Sequence, residues 1–519
     1  MAITTVALGP SVGLLVKMRT QLDDLQRQLG TGQKSETYGG LGTKRTVSVS
    51  FRAQITDLES YTSSVEQMAL RVKLMDTAMT RLGNIPSDMR AAIDPNVYTL
   101  RQDGRTDAQK AATVALDEVI GLLNAEADGR YLFAGAATET QPVVDIQTML
   151  QGAGGRDGLS QVTADRLVAD MGTAGTGRVE TAVAGSTVTV ARQTPLSAVF
   201  GFKIADAEST LSNVTVTPTN DPDPDPATNQ GILDFSVDFT GQPTTGQTFS
   251  MELKNPDGTL SKITLTATAA STPGKGEFSI GATPADTAAN FHTLLSSEIQ
   301  RVANTDLKAA SAVQASEEFF DTFGGQAPRR ADDTSGGGTL ATATTLRDGT
   351  ETDTVFWYRG TNDAVDPADP STLPRNDVSS RVDKTVDVAY GARANEDGLR
   401  QVVQSLAAMA NATFSNDVAD DKDRYRALAE RTRTELTFPD GAEKPQDIHA
   451  EIAMAGKVAN DAKERHQANR SAMLQMVDDV EGVKYEDVAA QILTLKTRMQ
   501  ASYQTTSLLS ELSLVNYIR

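Results

Sequence analysis

The chain has 519 residues, a formal net charge of −20 and no cysteine. This length is enough for several domains with large cores, while the lack of cysteine excludes thiolate catalysis, cysteine-ligated zinc and disulfides. The net acidity argues against nucleic acid as a main partner, and no apolar run reaches the roughly 18 residues of a membrane-spanning helix, so membrane insertion is not expected.

The first predicted helix carries an apolar residue at every third or fourth position. Such spacing is nearly a heptad seam, which needs a partner helix to cover it. Pro10 is compatible only with the first turn, and Gly30 and Gly32 end the helix. No basic segment precedes the apolar start, so a cleaved secretory signal is not expected. The seam residues are Leu8, Val12, Leu15, Met18, Leu22, Leu25 and Leu29.

Two further helices are predicted before residue 145. The second runs from about 47 to 82, where the sequence Gly-Asn-Ile-Pro ending at Pro86 is expected to end or kink it. The third spans about 106–128. An aromatic turn, GRYLFAG at 129–135, then leaves the helical region.

The centre of the chain, about 145–390, changes to a β-rich composition. Apolar and polar residues alternate at 188–190, 235–239 and 249–266, and the turn Asn-Pro-Asp-Gly inside the last stretch predicts a β-hairpin. Two helices are expected near 285–303 and 309–323. Trp357 is interpreted as part of a strand over 355–358 that anchors the core of this region.

Helical periodicity returns from about residue 395, again over about 445–480, and in a final helix that begins near 484. The final helix repeats the spacing of the first and ends in a strongly apolar stretch, so the two are expected to cover each other. The predicted fold is mainly α at the termini, an antiparallel, coiled-coil stem of paired N- and C-terminal helices, with a central β-rich α+β insertion. The final seam comprises Val488, Ile492, Leu495, Met499, Leu509, Leu512 and Leu514.

Four segments carry a resemblance to a known family. They are LQRQLGTGQK at 25–34, GRYLFAG at 129–135 followed by Thr138, Thr140, Gln141 and Pro142, VAYGARANE at 388–396, and the apolar C-terminal helix at 495–518. With these segments the chain resembles the bacterial flagellins and the hook–filament junction proteins that share their fold. The match covers both terminal regions, about half of the chain, and leaves the insertion outside.

The resemblance implies three layers. Residues 1–45 with 484–519 would form an inner coiled-coil assembly domain, residues 46–144 with 395–483 a helical rod domain, and 145–394 a variable β-rich outer domain. It also implies a non-enzymatic, extracellular subunit of the bacterial flagellum that is exported without a cleaved signal through the flagellar type III apparatus. The implied partners are further copies of the chain, other axial proteins including hook-associated proteins and flagellin, and an export chaperone at the C-terminal helix.

Several alternatives stay open at this point. The GRYLFAG segment and the loop 35–42 favour the junction protein, whereas the length is ordinary for a filament flagellin. A secreted adhesin or binding module is the third alternative. No catalytic residue, cofactor or metal site is predicted, because the histidines (His292, His449 and His466) are isolated from any metal-binding motif and the Asp-Pro repeat at 221–226 is better interpreted as an extended, solvated linker.

Overall fold

The computed structural model describes residues 10–196, 198–220, 231–334 and 337–517, and side chains within 13–508 of those ranges. About half of the chain is helical, with long helices at both ends and a β-rich region in the centre. These features confirm the fold class predicted from the sequence in its coarse form. Within the described ranges, no helix combines the length and the apolarity needed to cross a membrane.

The helices alternate with short connecting loops at both ends of the chain. A 3₁₀ segment at Tyr38–Lys44 separates the first helix from the second. In chain order the helices are α1 (Pro10–Thr31), α2 (Arg45–Ala92), α3 (Asp107–Leu123), α4 (Ile146–Gln151), α5 (Leu159–Met171), α6 (Pro284–Val302), α7 (Lys308–Phe320), α8 (Asp397–Asn411), α9 (Asp421–Glu435), α10 (Pro445–Glu481) and α11 (Tyr485–Tyr517).

Most strands lie in the centre of the sequence. They are β1 (Glu126–Ala127), β2 (Arg130–Tyr131), β3 (Val179–Ala184), β4 (Thr187–Arg192), β5 (Lys203–Ser209), β6 (Val214–Asn220), β7 (Ile232–Phe239), β8 (Thr248–Lys254), β9 (Leu260–Thr268), β10 (Glu277–Ser279), β11 (Arg329–Ala331), β12 (Leu346–Asp348), β13 (Ser379–Asp383) and β14 (Val386–Ala389).

The chain divides into two compact units. The smaller unit draws on Met1–Ala69, Ser380–Val388 and Lys457–Arg519, and the larger on Leu70–Ser379 and Ala389–Gly456. Because the smaller unit combines both ends of the sequence, its formation requires the chain to return to its start. The three layers implied by the family resemblance stay a prediction.

In the smaller unit, α1 packs against α11. The end of α1 lies next to the start of α11, where the amide of Val483 donates to the carbonyl of Gly32 at 3.0 Å, so the two helices run antiparallel. The hairpin of β13 and β14 also belongs largely to this unit. It contacts α10 through Asp383, whose carboxylate accepts from Arg465 at 3.1 Å.

A single large sheet, with α6 on one face, forms the β-rich part of the larger unit. The strand order is β10-β9-β8-β5-β7-β4-β3, with β6 pairing β7, and only the short β9–β10 pair is parallel among the described strands. Phe291 of α6 contacts the rings of Phe239, Phe249 and Phe278 at centroid distances of 5.1 to 5.4 Å. The predicted hairpin at 249–266 is confirmed as β8 and β9.

The second part of the larger unit is a helical layer. α3 and α7 both pack against α8, α5 packs against α7, and α9 covers α7 and α8. α8 is buried over most of its length and contains three alanines, Ala407, Ala408 and Ala410. Small side chains of this kind allow the backbones of neighbouring helices to approach closely.

The second helix is predicted to end or kink by Pro86. It does not end there, because α2 continues to Ala92. Proline removes one helical hydrogen bond, yet the residues around it are buried and hold the helix in place. The side-chain amide of Gln446 donates to the carbonyl of Gly83 at 2.8 Å. The buried residues are Leu82, Ile85, Met89 and Ile93.

Other differences also have physical reasons. The region expected to be β-rich from 145 begins with two helices, α4 and α5. The sequence does not predict α9, because the residues of that helix are strongly polar. The third helix ends at Leu123 rather than at 128. The strand expected over 355–358 is absent, and the segment makes only isolated bridges at Thr354 and Tyr358.

Trp357 is nevertheless a core residue. Its side chain is fully buried, and its indole N–H donates to the carbonyl of Phe320 at 3.1 Å. Its ring meets that of Phe320 edge to face, with the centroids 5.2 Å apart. The anchoring role expected for Trp357 is therefore confirmed, although it does not need a strand.

Candidate assembly interface

The seam residues of α1 and α11 differ in how well they are covered. Met18, Val488, Ile492 and Leu495 are buried, each less than a tenth exposed. The other described seam residues are half-buried or exposed: Leu15, Leu22, Leu25, Leu29 and Met499. Leu8 lies outside the described residues, as do the side chains of Val12, Leu509, Leu512 and Leu514. The structure thus brings seam residues from the two ends of the sequence to one helix pair.

Apolar side chains also occupy the outer faces of these two helices. Leu493 is 66% exposed although it follows the buried Ile492. The other exposed large apolar residues on this pair are Leu14, Val16, Leu29, Tyr485, Tyr503 and Leu508. Exposed large apolar side chains that recur along a helix pair are a feature of protein interaction sites.

The turn that follows α1 is held against the end of α10 by hydrogen bonds from Lys34. The amide of Lys34 donates to the carbonyl of Glu481 at 2.8 Å. Its ammonium donates to the carbonyls of Asp479 and Val480 at 2.9 and 3.0 Å. The last carbonyls of a helix lack partners within the helix and carry partial negative charge, so Lys34 caps the end of α10.

Gly32 is the one residue in this turn that the geometry requires to be glycine. Its φ is +70°, and an added Cβ would lie 2.7 Å from the phenolic oxygen of Tyr485. The positive φ disfavours most other residues, whereas the exposed Tyr485 side chain could move aside to relieve the contact. Gly32 belongs to the segment LQRQLGTGQK, so the motif matches a place where the two ends of the chain meet.

Near the same turn, an ion pair joins α2 to the end of α10 within the smaller unit. The guanidinium of Arg52 binds both carboxylate oxygens of Glu481, and Ser48 donates to the same carboxylate. The hydrogen bond from Arg52 holds the pKa of Glu481 below its usual value. The sequence does not reveal this pair, because nothing in the local sequence of either residue indicates the other.

His466 has a structural role in the smaller unit. A ring nitrogen lies 2.7 Å from the carbonyl of Val382 in the β13–β14 hairpin, and the ring stacks on Tyr61 with centroids 6.0 Å apart. His292 and His449 lie in the larger unit, beside Ser296 and Asp76 respectively. Within the part of the chain that the structure describes, no group of three or more potential metal-ligating side chains forms a site.

Two of the segments that carry the family resemblance lie side by side in the larger unit. The GRYLFAG segment begins in the turn between β1 and β2, where Asp128 and Gly129 both have positive φ. It then pairs with the segment VAYGARANE: the amide of Gly135 donates to Ala392, and that of Ala394 donates to Phe133, both at 2.9 Å. Segments more than 250 residues apart in sequence therefore form one structural junction.

Arg393 is the central charged residue of this junction. It is 1% exposed and binds both carboxylate oxygens of Asp377, at 2.6 and 2.9 Å. It also donates to the carbonyl of Asp363 at 3.1 Å. A guanidinium buried to this degree needs such partners to offset the loss of hydration.

A second buried carboxylate lies three residues further along. Burial raises the pKa of Glu396 to about 7, although the nearby guanidinium of Arg375 opposes the shift. Glu396 accepts from Arg375 and from the amide of Arg393. These groups hold the segment that leads into α8, so their arrangement serves the fold of the junction.

No protein-family model matches this chain, and no curated protein matches it either.

Proposed function

We propose that this chain is a non-enzymatic structural subunit that polymerises through its terminal helices, and that it is a flagellin-family component of the bacterial flagellum. The observation that carries the proposal is the helix pair α1–α11. Its inner face is only partly covered within one chain, and its outer faces expose large apolar side chains. The four sequence segments described above support the assignment to the family.

The exposed apolar faces of α1 and α11 could be covered by neighbouring copies of the chain. Apolar burial contributes roughly 25 cal/mol per Å², so neighbouring copies that cover the exposed side chains would stabilise both partners. Each copy would then stabilise the terminal helices of the next, which couples their order to assembly. Repetition of a head-to-tail contact that does not close produces a helical filament.

Within the family, the hook–filament junction protein is the first candidate and the filament flagellin the second. GRYLFAG, with the threonines and the Gln-Pro pair that follow, favours the junction protein. The length of 519 residues favours flagellin. The two proposals differ in the expected product, because a junction protein forms a thin ring between other components and a flagellin forms long filaments.

The remaining parts of the proposal follow from the family. The subunit would be exported without a cleaved signal and would act outside the cell, in contact with other axial proteins. An export chaperone would cover the apolar end of α11 until secretion. A secreted adhesin is the alternative, and it requires a stable monomer whose function resides in the larger unit.

Electron microscopy and sedimentation of the purified full chain test the proposal. The chain is incubated at increasing concentration, alone and with preformed flagellar hooks. Long filaments from the chain alone support flagellin, and a layer that forms only on hook ends supports the junction protein. A monomer that remains monomeric at all concentrations and binds no hook end overturns the proposal.

A further inference from the structure

A cavity of about 700 Å³ that is partly open to solvent lies within the larger unit. It is lined by the start of α3, by α4, α5 and α7, by the end of α8 and by the first half of α9. Much of its wall is apolar, and its volume falls within the range of small-molecule sites. Apolar lining residues include Ile146, Leu150, Leu167, Ala309, Ala312 and Phe414.

The charged groups that line this cavity are mainly cationic. Arg105, Lys308 and Arg424 face a single lining carboxylate, that of Asp103. Asp103 already pairs with the ammonium of Lys110 at 3.0 Å. The lining therefore carries an excess of positive charge within a partly desolvated space, where electrostatic interactions are stronger than in water.

Lys308 is a lining cation whose ammonium has no direct hydrogen bond or ion pair with the described residues, although the carboxylates of Asp421 and Asp420 lie close enough to act on its charge. It is half-buried at the start of α7, where its backbone amide donates to the carbonyl of Thr305 and only its side chain is without a direct partner. Burial lowers the pKa of Lys308 and the positive charge of Arg424 lowers it further, while the carboxylates of Asp421 and Asp420 act in the opposite direction. Because neither carboxylate forms an ion pair with the ammonium, a directly bound anion would offset the remaining cost of burying the charge.

The other two cations are held in place by protein groups. Arg105 donates to Thr113 and to the carbonyl of Ala410, at 2.8 and 2.7 Å. Arg424 pairs with Asp421 at 2.9 Å and lies over the ring of Phe414 at 4.9 Å. Its buried Nε nevertheless has no hydrogen-bond partner among the described residues.

Several neutral polar groups of the wall, by contrast, bond to one another. Ser160 donates to Asn411 at 2.5 Å and accepts from Gln151 at 3.1 Å. Asn411 also donates to Thr163 at 3.4 Å. The cations beside the apolar surface therefore offer donors for a ligand, and an anionic acceptor forms stronger hydrogen bonds with them than a neutral one.

We propose that this cavity binds a small organic anion, whose carboxylate or phosphate group is held by Lys308 and Arg424 and whose apolar body contacts the alanine- and leucine-lined wall. The anion would accept hydrogen bonds from the Lys308 ammonium and from Nε of Arg424, neither of which has such an acceptor among the described residues. The inference concerns the larger unit alone and does not depend on the proposed assembly function.

Isothermal titration calorimetry on the full chain tests this inference with three probes: octanoate, its neutral counterpart 1-octanol, and inorganic phosphate. Octanoate should bind one to one, and 1-octanol should bind at least about tenfold more weakly, because a charge-assisted hydrogen bond adds about 1.5–3 kcal/mol, or a factor of ten or more. Equal binding of octanoate and 1-octanol overturns the proposal, as does phosphate binding without octanoate binding.

Two variants locate the site. Lys308→Gln removes the ammonium charge and should weaken octanoate binding about tenfold, whereas Lys275→Gln, at an exposed lysine outside the lining, should leave it unchanged. Ala312→Phe fills the cavity without altering charge and should abolish binding. Fluorescence of the buried Trp357 verifies folding. Unchanged binding in either cavity variant overturns the proposal.

Discussion

Arg52 and Glu481 lie 429 positions apart in the chain, yet the guanidinium of Arg52 donates two hydrogen bonds to the carboxylate of Glu481, at 2.9 and 2.5 Å. The contact joins the second turn of α2 to the last residue of α10. Both residues belong to the smaller unit. The pair therefore connects the outgoing and returning parts of the chain close to the turn at Gly32.

Replacement of Glu481 by glutamine is expected to destabilise the smaller unit by about 1 kcal/mol at pH 7, because the pair is partly exposed and screened by solvent. The pKa of Glu481 is lowered in the folded state. Its contribution is therefore present above the unfolded pKa of about 4.3 and is lost as the pH falls through the folded value. Denaturant unfolding followed by circular dichroism measures the difference at pH 7 and pH 3.

Glu59→Gln is the matched control for that experiment. Glu59 pairs with Arg470 in the same unit, but both side chains are about half exposed. The control should change stability by only a few tenths of a kcal/mol. An equal loss in the two variants, or a loss in Glu481→Gln that persists undiminished at pH 3, would show that the Arg52–Glu481 pair has no particular role.

Leu495→Asp is expected to prevent assembly while the larger unit stays folded. Leu495 is 8% exposed in the contact region of α11, and truncation of a buried leucine alone costs about 2–5 kcal/mol. A carboxylate there adds the cost of a buried charge. The amount of polymer that sediments measures assembly, and the emission of Trp357, the chain's single tryptophan, reports the fold of the larger unit.

Val114→Asp provides the comparison for Leu495→Asp. Val114 is 68% exposed on α3, so the same change of side chain buries no charge there. This variant should sediment as polymer to the same extent as the unmodified chain. Normal assembly of Leu495→Asp would count against a role of the α1–α11 pair in polymerisation.

Limited proteolysis should distinguish an assembly subunit from a self-contained binding module. In dilute solution, protease is expected to remove about 40 residues from each end and to leave the larger unit intact, because segments with few buried contacts open most readily. Mass spectrometry of the resistant fragment provides the measurement. The polymerised chain, at equal protease, serves as the control and should be protected. Ends that resist cleavage at high dilution would instead favour the adhesin.

Asp377→Ala is expected to destabilise the larger unit by about 3–5 kcal/mol, because it leaves the buried guanidinium of Arg393 without its carboxylate partner. Denaturant unfolding monitored by Trp357 fluorescence measures the effect. Asp348→Ala, at an exposed carboxylate in β12, should change stability by less than about 0.5 kcal/mol. A similarly small loss for Asp377→Ala would mean that Arg393 finds another partner or becomes hydrated.

Periodicity and turn composition predicted the elements whose patterns are strong. The alternation in 249–266 and its Asn-Pro-Asp-Gly turn identified β8 and β9, and the apolar spacing identified α1, α10 and α11. α9 was missed, because a helix can form from a mostly polar sequence when a few residues such as Tyr425 and Leu428 meet a core on one side. The apolar face of α9 is so narrow that its helical periodicity is weak in the sequence.

At Pro86 and Trp357 the sequence predicts a local feature, a helix end and a strand, that the structure does not have. A proline preceded by glycine ordinarily marks the end of a helix, but burial of the surrounding apolar residues carries α2 past it to Ala92. Trp357 and its aromatic neighbours have high strand propensity, but edge-to-face packing on Phe320 holds this segment without a strand ladder. In both places tertiary packing outweighs local preference.

The sequence by itself determined the helical ends, the β-rich centre and the apolar seams, because side-chain period and turn chemistry are local properties that survive without a partner. The tertiary structure alone decided which distant groups meet: Arg52 with Glu481, Arg393 with Asp377, and the GRYLFAG segment with the segment VAYGARANE. Such contacts depend on the path of the whole chain, and nothing in the residues near one partner specifies the other.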